Sequence, residues 1–115
     1  MKEFLMIFRN EFTPDRKPTA EQLQESIKQW QDWIGGIAAQ GKFIGTNRLT
    51  SEGAKVMKPN NVVTDGPYAE LKEIVGGYLL VNAESFDQAL KLAEGCPIFH
   101  VGGSVEVREV IPMTM

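Results

Sequence analysis

Three carboxylate side chains lie close together in one turn-forming segment in the middle of the chain. Asp65, Glu70 and Glu73 fall within nine residues, and Lys72 lies among them. Such a density of acids is typical of a general base or a cation site, because carboxylate oxygens accept protons and coordinate hard cations. A solvated, charged turn with Lys72 as the local counter-ion is the alternative.

Asp65 is followed by Gly66 and Pro67, and this order restricts what its side chain can bind. An Asp in a turn usually accepts a hydrogen bond from the N–H two residues on, but that residue is Pro67, which has no N–H. Asp65 must therefore reach the N–H of Tyr68 or Ala69 at the start of a helical turn, or else face a cavity or solvent. The first arrangement is structural and the second is functional.

His100 is the only histidine of the chain, and it lies just before the last predicted strand. Histidine is the side chain best suited to exchange protons near neutral pH, so His100 is a candidate acid or base beside Asp65, whose carboxylate would orient the ring. A partly buried structural histidine is the alternative. Because no His or Cys pair stands at ligand spacing, we expect neither a metal nor a cofactor.

Two arginines in predicted strands, Arg9 and Arg108, are candidate anion-binding residues. A guanidinium that faces the interior of a barrel is suited to hold a carboxylate or phosphate. The alternation of the last strand places Arg108 on the same side as Glu106, so an exposed row of ion pairs is the alternative interpretation.

Length and composition exclude several classes of protein. A chain of 115 residues with 43% hydrophobic content fits one domain, over residues 1–115. A formal net charge of −3 argues against nucleic acid as a partner. A single cysteine, Cys96, excludes an internal disulfide, and without a nearby cation it is expected in the core. No signal peptide and no long apolar run are found, so we expect a cytoplasmic protein without membrane contact.

The periodicity of apolar residues predicts alternating strands and helices. A capping box at Thr19 and Gln22 begins a helix that ends at Gly41, and a second at Ser85 and Gln88 begins a shorter one. Within the first helix the Gly35-Gly36 pair predicts close approach of a strand or another subunit, or else a bend. The apolar face of that helix is predicted at Leu23, Ile27, Trp30, Ile34 and Ile37. The predicted strands are 3–8, 42–49, a return over 54–57, 62–64, 74–81 and 104–110.

This order of elements is that of a ferredoxin-like βαββαβ unit with an extra hairpin, an α+β fold. Two helices would cover one face of a four-stranded antiparallel sheet. The other face would be left bare, and a chain this small covers it best with a second copy of itself, which predicts a homodimer with two-fold symmetry.

The run from Asp65 to Tyr78, Asp-Gly-Pro-Tyr-x-Glu-x-Lys-Glu-x-x-Gly-Gly-Tyr, resembles the signature of the DGPF family within the YCII-related superfamily. The later Cys-Pro at 96–97 and Val-Glu-Val-Arg at 105–108 follow at that family's spacing. Two departures are Tyr68, where Phe is usual, and Glu109, where Pro is common.

The resemblance implies a dimeric α+β barrel and leads to two hypotheses. The first is a homodimeric module that binds a small molecule or a protein partner in a cleft near the Asp65 turn. The second is a cofactor-independent enzyme for a small anionic substrate, with Asp65 and His100 as its acid and base. In the superfamily a His–Asp pair is a suggested active site, although no motif maps His100 onto that histidine. The residues expected to contact the ligand in either case are Arg9, Tyr68, Glu73 and Arg108.

Overall fold

The structure, a computed structural model, describes residues 1–11, 18–50, 53–65 and 73–113. These residues form an α+β fold, as predicted from the order of elements. The strands are β1 (Lys2–Glu11), β2 (Phe43–Arg48), β3 (Lys55–Lys58), β4 (Val62–Asp65), β5 (Glu73–Ala83) and β6 (Ser104–Glu109), and the helices are α1 (Ala20–Ala39) and α2 (Phe86–Ala93).

Four strands form one antiparallel sheet in the order β2-β5-β1-β6. Strands β1 and β5 are central, and with 10 and 11 residues they are the longest of the described strands. The ferredoxin-like fold class is therefore confirmed. Of the described helices, none combines the length and the apolar composition needed to cross a bilayer.

The extra hairpin is built differently from the prediction. The sequence indicated that residues 54–57 return along the preceding strand, whereas β3 pairs with β4 and β2 pairs with β5. The reversal lies at Pro59–Asn61, where Asn60 and Asn61 have φ angles of 68° and 60°. Asn tolerates this left-handed backbone better than most residues, so the tight reversal forms here.

One face of the four-stranded sheet carries the core. Phe4, Met6 and Phe8 of β1 alternate inward and meet inward-facing residues of β5 and both helices. Trp30 and Trp33 of α1 pack edge-on against Phe8, with ring centroids 5.0 and 5.9 Å away. The remaining buried residues of this core are Ile37, Leu79, Val81, Ala83, Ala89, Leu92, Ala93, Cys96 and Ile98. The expected core position of Cys96 is thus confirmed, and burial raises the pKa of its thiol to about 11.

Helix α1 begins at the predicted capping box, in which Gln22 N–H donates to Thr19 Oγ1 and Thr19 N–H donates to Gln22 Oε1. Its predicted apolar face is only partly buried, because Leu23 and Ile27 in the first half are about half exposed, at 49% and 51%. The first half of the helix extends beyond the core, so the predicted face is buried mainly in its second half.

The Gly35-Gly36 pair in α1 does not mark close approach of a strand within the chain. Among the described residues, a Cβ built at either glycine has no neighbouring atom within 4 Å beyond the helix's own backbone, so a close strand within this part of the chain was the wrong expectation. The second capping box also differs, since the Gln88 side chain accepts from the N–H of Glu84 rather than of Ser85. Ser85 nevertheless caps α2 through its hydroxyl, as predicted.

Candidate functional site

The face of the sheet opposite the helices carries a strip of apolar side chains. Leu5 and Ile7 of β1 lie directly across from Leu80 and Tyr78 of β5, and side chains of paired residues point to the same side. All four are partly exposed, since both helices pack on the other side of the sheet. We call this surface, with the charged residues beside it, the open face.

A cluster of three charged residues borders this strip. Arg9 Nε lies 3.4 Å from Glu106 Oε1, and Arg108 Nη1 lies 3.9 Å from Glu106 Oε2. The register pairs Ile7 with Glu106 and Leu5 with Arg108, which places the cluster next to the apolar strip. Two guanidinium groups share one carboxylate, so the cluster has one net positive charge. The predicted ion pair of Arg108 with Glu106 is present, and Arg9 joins it from the neighbouring strand.

On the other side of the strip, Tyr78 makes a hydrogen bond that ties β2 to β5. Asn47 Nδ2 donates to the Tyr78 hydroxyl over 2.9 Å. The neighbouring Gly77 lets β2 approach, because a Cβ there would lie 2.8 Å from the backbone oxygen of Asn47. This close approach sets the position of Tyr78 at the border of the open face.

Asp65 ends β4 and lies on the hairpin, away from this cluster. Its carboxylate pairs with Lys55 Nζ across the hairpin, and the two side chains are 86% and 65% exposed. The alternative of Lys72 as counter-ion, and the caps at Tyr68 or Ala69, lie outside the described residues.

His100 lies in the short 3₁₀ helix Pro97–Val101 that precedes β6. Its ring is exposed, so the alternative of a partly buried structural histidine was wrong. Nδ1 lies 3.3 Å from Gln29 Oε1 of α1. Where the structure describes both side chains, Asp65 contacts Lys55 and His100 contacts Gln29, and no hydrogen bond joins the predicted acid and base.

Of the remaining predicted site residues, the structure describes only Glu73. Glu73 begins β5 and pairs with Glu11 in the register, at the end of the sheet nearest the signature segment. Tyr68 and Glu70 lie outside the described residues. In the ranges that are described, no group of three or more His, Cys, Asp or Glu residues is close enough to hold a metal ion.

A shallow groove lies between the two helices. It has a volume of about 350 Å³, and its walls include Asp32, Trp33, Gly36 and Lys91. The Trp33 indole N–H that borders it donates to the backbone oxygen of Leu92 over 3.0 Å, so this polar group is already satisfied. None of the predicted site residues lines this groove.

Comparison with models of protein families shows to which family the chain belongs. The model of the YCII-related domain matches residues 8–114. The chain belongs to the YCII-related domain family. This match includes the end of β1 with Arg9 and all of β6 with Arg108, so the arginine cluster lies within the YCII-related domain. No curated protein matches the chain.

The sequence did not predict two of the side-chain contacts that the structure shows. Lys55 as the partner of Asp65 depends on the hairpin register, which the weak alternation of β3 did not predict. Gln29 as the partner of His100 depends on packing between α1 and the 3₁₀ helix. Both strands of the Arg9–Glu106 link were predicted, but the pairing of β1 with β6 and its register are seen only in the tertiary structure.

Proposed function

We propose that this YCII-related domain is a homodimeric binding module that holds a small anionic molecule beside Arg9 and Arg108, on an open face that the second copy covers. The observation that carries this proposal is the sharing of the Glu106 carboxylate by two guanidinium groups next to a bare apolar strip. One positive charge in the cluster has no partner in it, which favours an anion.

The open face supports the dimer. A half-buried apolar strip on one side of an antiparallel sheet is stabilised when a second layer covers it. The shortest dimension of the chain, 18 Å, has room for one sheet and one helical layer. A second copy that packs on this face with two-fold symmetry adds the missing layer.

Covering the open face also strengthens anion binding. The Arg9 side chain is 29% exposed, whereas the Arg108 side chain is 70% exposed and hydrated in a single chain. Removing water from around these groups lowers the local dielectric, and a charge pair then interacts more strongly. The bare sheet face is therefore the place where the anion site and the dimer contact coincide.

The enzyme hypothesis has less support. The proposed acid and base, Asp65 and His100, have Lys55 and Gln29 as partners, and among the described hydrogen bonds and ion pairs none joins the two. A protein partner near the Asp65 turn stays a prediction. We therefore propose binding without turnover.

The proposal is tested by thermal unfolding with phosphate, acetate, malonate and other small carboxylates at constant ionic strength, followed by Trp30 and Trp33 fluorescence. A ligand at one hundred times its dissociation constant stabilises the native state by about 2.7 kcal/mol. We expect at least one anion to raise the midpoint of the wild type above its value in chloride. The rise should be lost in Arg108→Gln.

Arg48→Gln is the matched control, because Arg48 is also an exposed strand arginine but lies on β2 at the other edge of the sheet. This variant should keep the full response to the anion. Equal shifts in all three proteins, or no shift beyond that in chloride, would show that the Arg9 and Arg108 cluster is not an anion site.

A further inference from the structure

The β3–β4 hairpin, residues Lys55–Asp65, has an apolar side without a partner in the described part of the chain. It makes no extended contact with another helix or strand there. Met57 and Val63 pair with each other across the hairpin and are 69% and 54% exposed. A two-stranded hairpin alone is at best marginally stable in water, so a second surface is needed to hold this one in place.

The exposed side of the hairpin has a definite pattern of charge. Lys55 pairs with Asp65 in the same orientation as Met57 with Val63, so all four side chains share one side. This side presents an apolar pair next to an ion pair. Its four-residue strands are about 13 Å long, which is enough to cross two or three strands of a sheet.

The open face presents a matching order of apolar and charged groups. Its apolar strip at Leu5 and Ile7 lies beside a cluster with one net positive charge, formed by Arg9, Glu106 and Arg108. An apolar pair laid on this strip places the Asp65 carboxylate near an arginine. In one chain the predicted site residues Asp65 and Arg108 belong to separate sheets, whereas the hairpin of another copy would bring them together.

We propose that the β3–β4 hairpin is an arm that packs its Met57 and Val63 side on the open face of a second copy and lays its Lys55–Asp65 ion pair beside the arginine cluster. This pair is neutral, so the combined site keeps one net positive charge for an anion. This inference rests on the proposed homodimer. The exchange is reciprocal under two-fold symmetry, so each site contains the arginines of one copy and the Lys55–Asp65 pair of the other. The anion site is then incomplete in a single chain.

Disulfide trapping between two differently tagged variants, each with one introduced cysteine, tests the arm. One variant carries Val63→Cys and the other carries Ile7→Cys, or Leu5→Cys in a second set. After mixing, exchange and mild oxidation, we expect a covalent heterodimer that contains both tags. The native Cys96 is buried, and the unsubstituted protein shows whether it contributes any cross-link.

Val62→Cys is the matched control, because Val62 is 50% exposed, close to the 54% of Val63, but lies on the opposite side of the hairpin. It should give little heterodimer. As a second measurement, Val63→Asp should raise the dimer dissociation constant about tenfold or more, since it places a charge in an apolar contact, whereas Val62→Asp should leave it within about twofold.

The outcomes of these experiments distinguish failure of the arm from failure of the proposed function. The arm is wrong if Val62→Cys cross-links as well as Val63→Cys, or if neither variant cross-links. The proposed function still stands in that case, provided that sedimentation shows a dimer and that anion binding depends on Arg108. A disulfide within one chain, seen when Val63→Cys and Ile7→Cys are combined, would also overturn the arm. If the protein is monomeric at every concentration, both the arm and the proposed homodimeric binding module are wrong.

Discussion

Cys96 shows at the scale of one residue how burial changes chemistry. It lies in the core with 2% of its surface exposed, and the lost hydration disfavours the thiolate. Its pKa is raised from 9.0 to about 11, with a smaller opposing effect from a backbone hydrogen bond at Ile98. A thiol held in its neutral form is suited to packing and is a poor nucleophile.

This raised pKa predicts a dependence of stability on pH. Below about pH 9 the thiol is protonated in both states, and its contribution to stability is complete. Between about pH 9 and 11 only the unfolded chain loses the proton, so the free energy of unfolding of the wild type should fall. Urea unfolding from pH 7 to 10.5 should show this fall relative to Cys96→Ala, which lacks the thiol. A constant difference between the two proteins over this range would contradict the buried neutral thiol.

Two glycines illustrate, at the scale of elements, how the same residue type serves different purposes. Gly77 lies where β2 and β5 come together, and a Cβ would lie 2.8 Å from the Asn47 oxygen. Gly35 lies inside α1, and a Cβ there would meet nothing within 4 Å. The strand pairing therefore requires its glycine, whereas the helix within a single chain does not.

The two glycines should respond to alanine with opposite signs. Gly77→Ala forces β2 away from β5 and should lower the free energy of unfolding by about 1–3 kcal/mol. Gly35→Ala serves as the control, because it removes a flexible residue from a helix interior and should raise that free energy by about 0.5–1 kcal/mol. Urea unfolding monitored by circular dichroism measures both. Loss of stability in Gly35→Ala would indicate that another subunit approaches this helix, the alternative that the sequence left open.

At the scale of the whole molecule, the described chain has one well-covered sheet face and one open face. The core lies between the sheet and the helices, while Leu5, Ile7 and Leu80 remain partly exposed on the other side. Such a surface is costly in water and is a common place for a subunit contact. The proposed dimer follows from this imbalance.

Because dissociation accompanies unfolding of a stable dimer, its thermal midpoint should rise with protein concentration. Ile7→Glu puts a charge on the open face and should yield monomers in sedimentation equilibrium. Leu23→Glu is the control, since Leu23 is 49% exposed on α1 and lies on the helical side of the sheet. It should sediment like the wild type. A midpoint independent of concentration, together with unchanged sedimentation of Ile7→Glu, would contradict a dimer through the open face.

The sequence by itself determined the α+β class, the central strands and the helix that begins at Thr19. These features depend on local periodicity and on capping hydrogen bonds between residues three apart, which can be read along the chain. It also indicated Cys96 as a core residue and the pairing of Glu106 with Arg108, which lie two residues apart in one strand.

Only the tertiary structure decided which candidate side chains meet. The pairing of β3 with β4 gave Asp65 its partner Lys55, and packing of α1 beside the 3₁₀ helix gave His100 its partner Gln29. Pairing of β1 with β6 brought Arg9 to Glu106. Such contacts join residues from distant parts of the chain through strand register and packing. Local sequence preferences do not encode them, because they depend on the free energy of the whole fold.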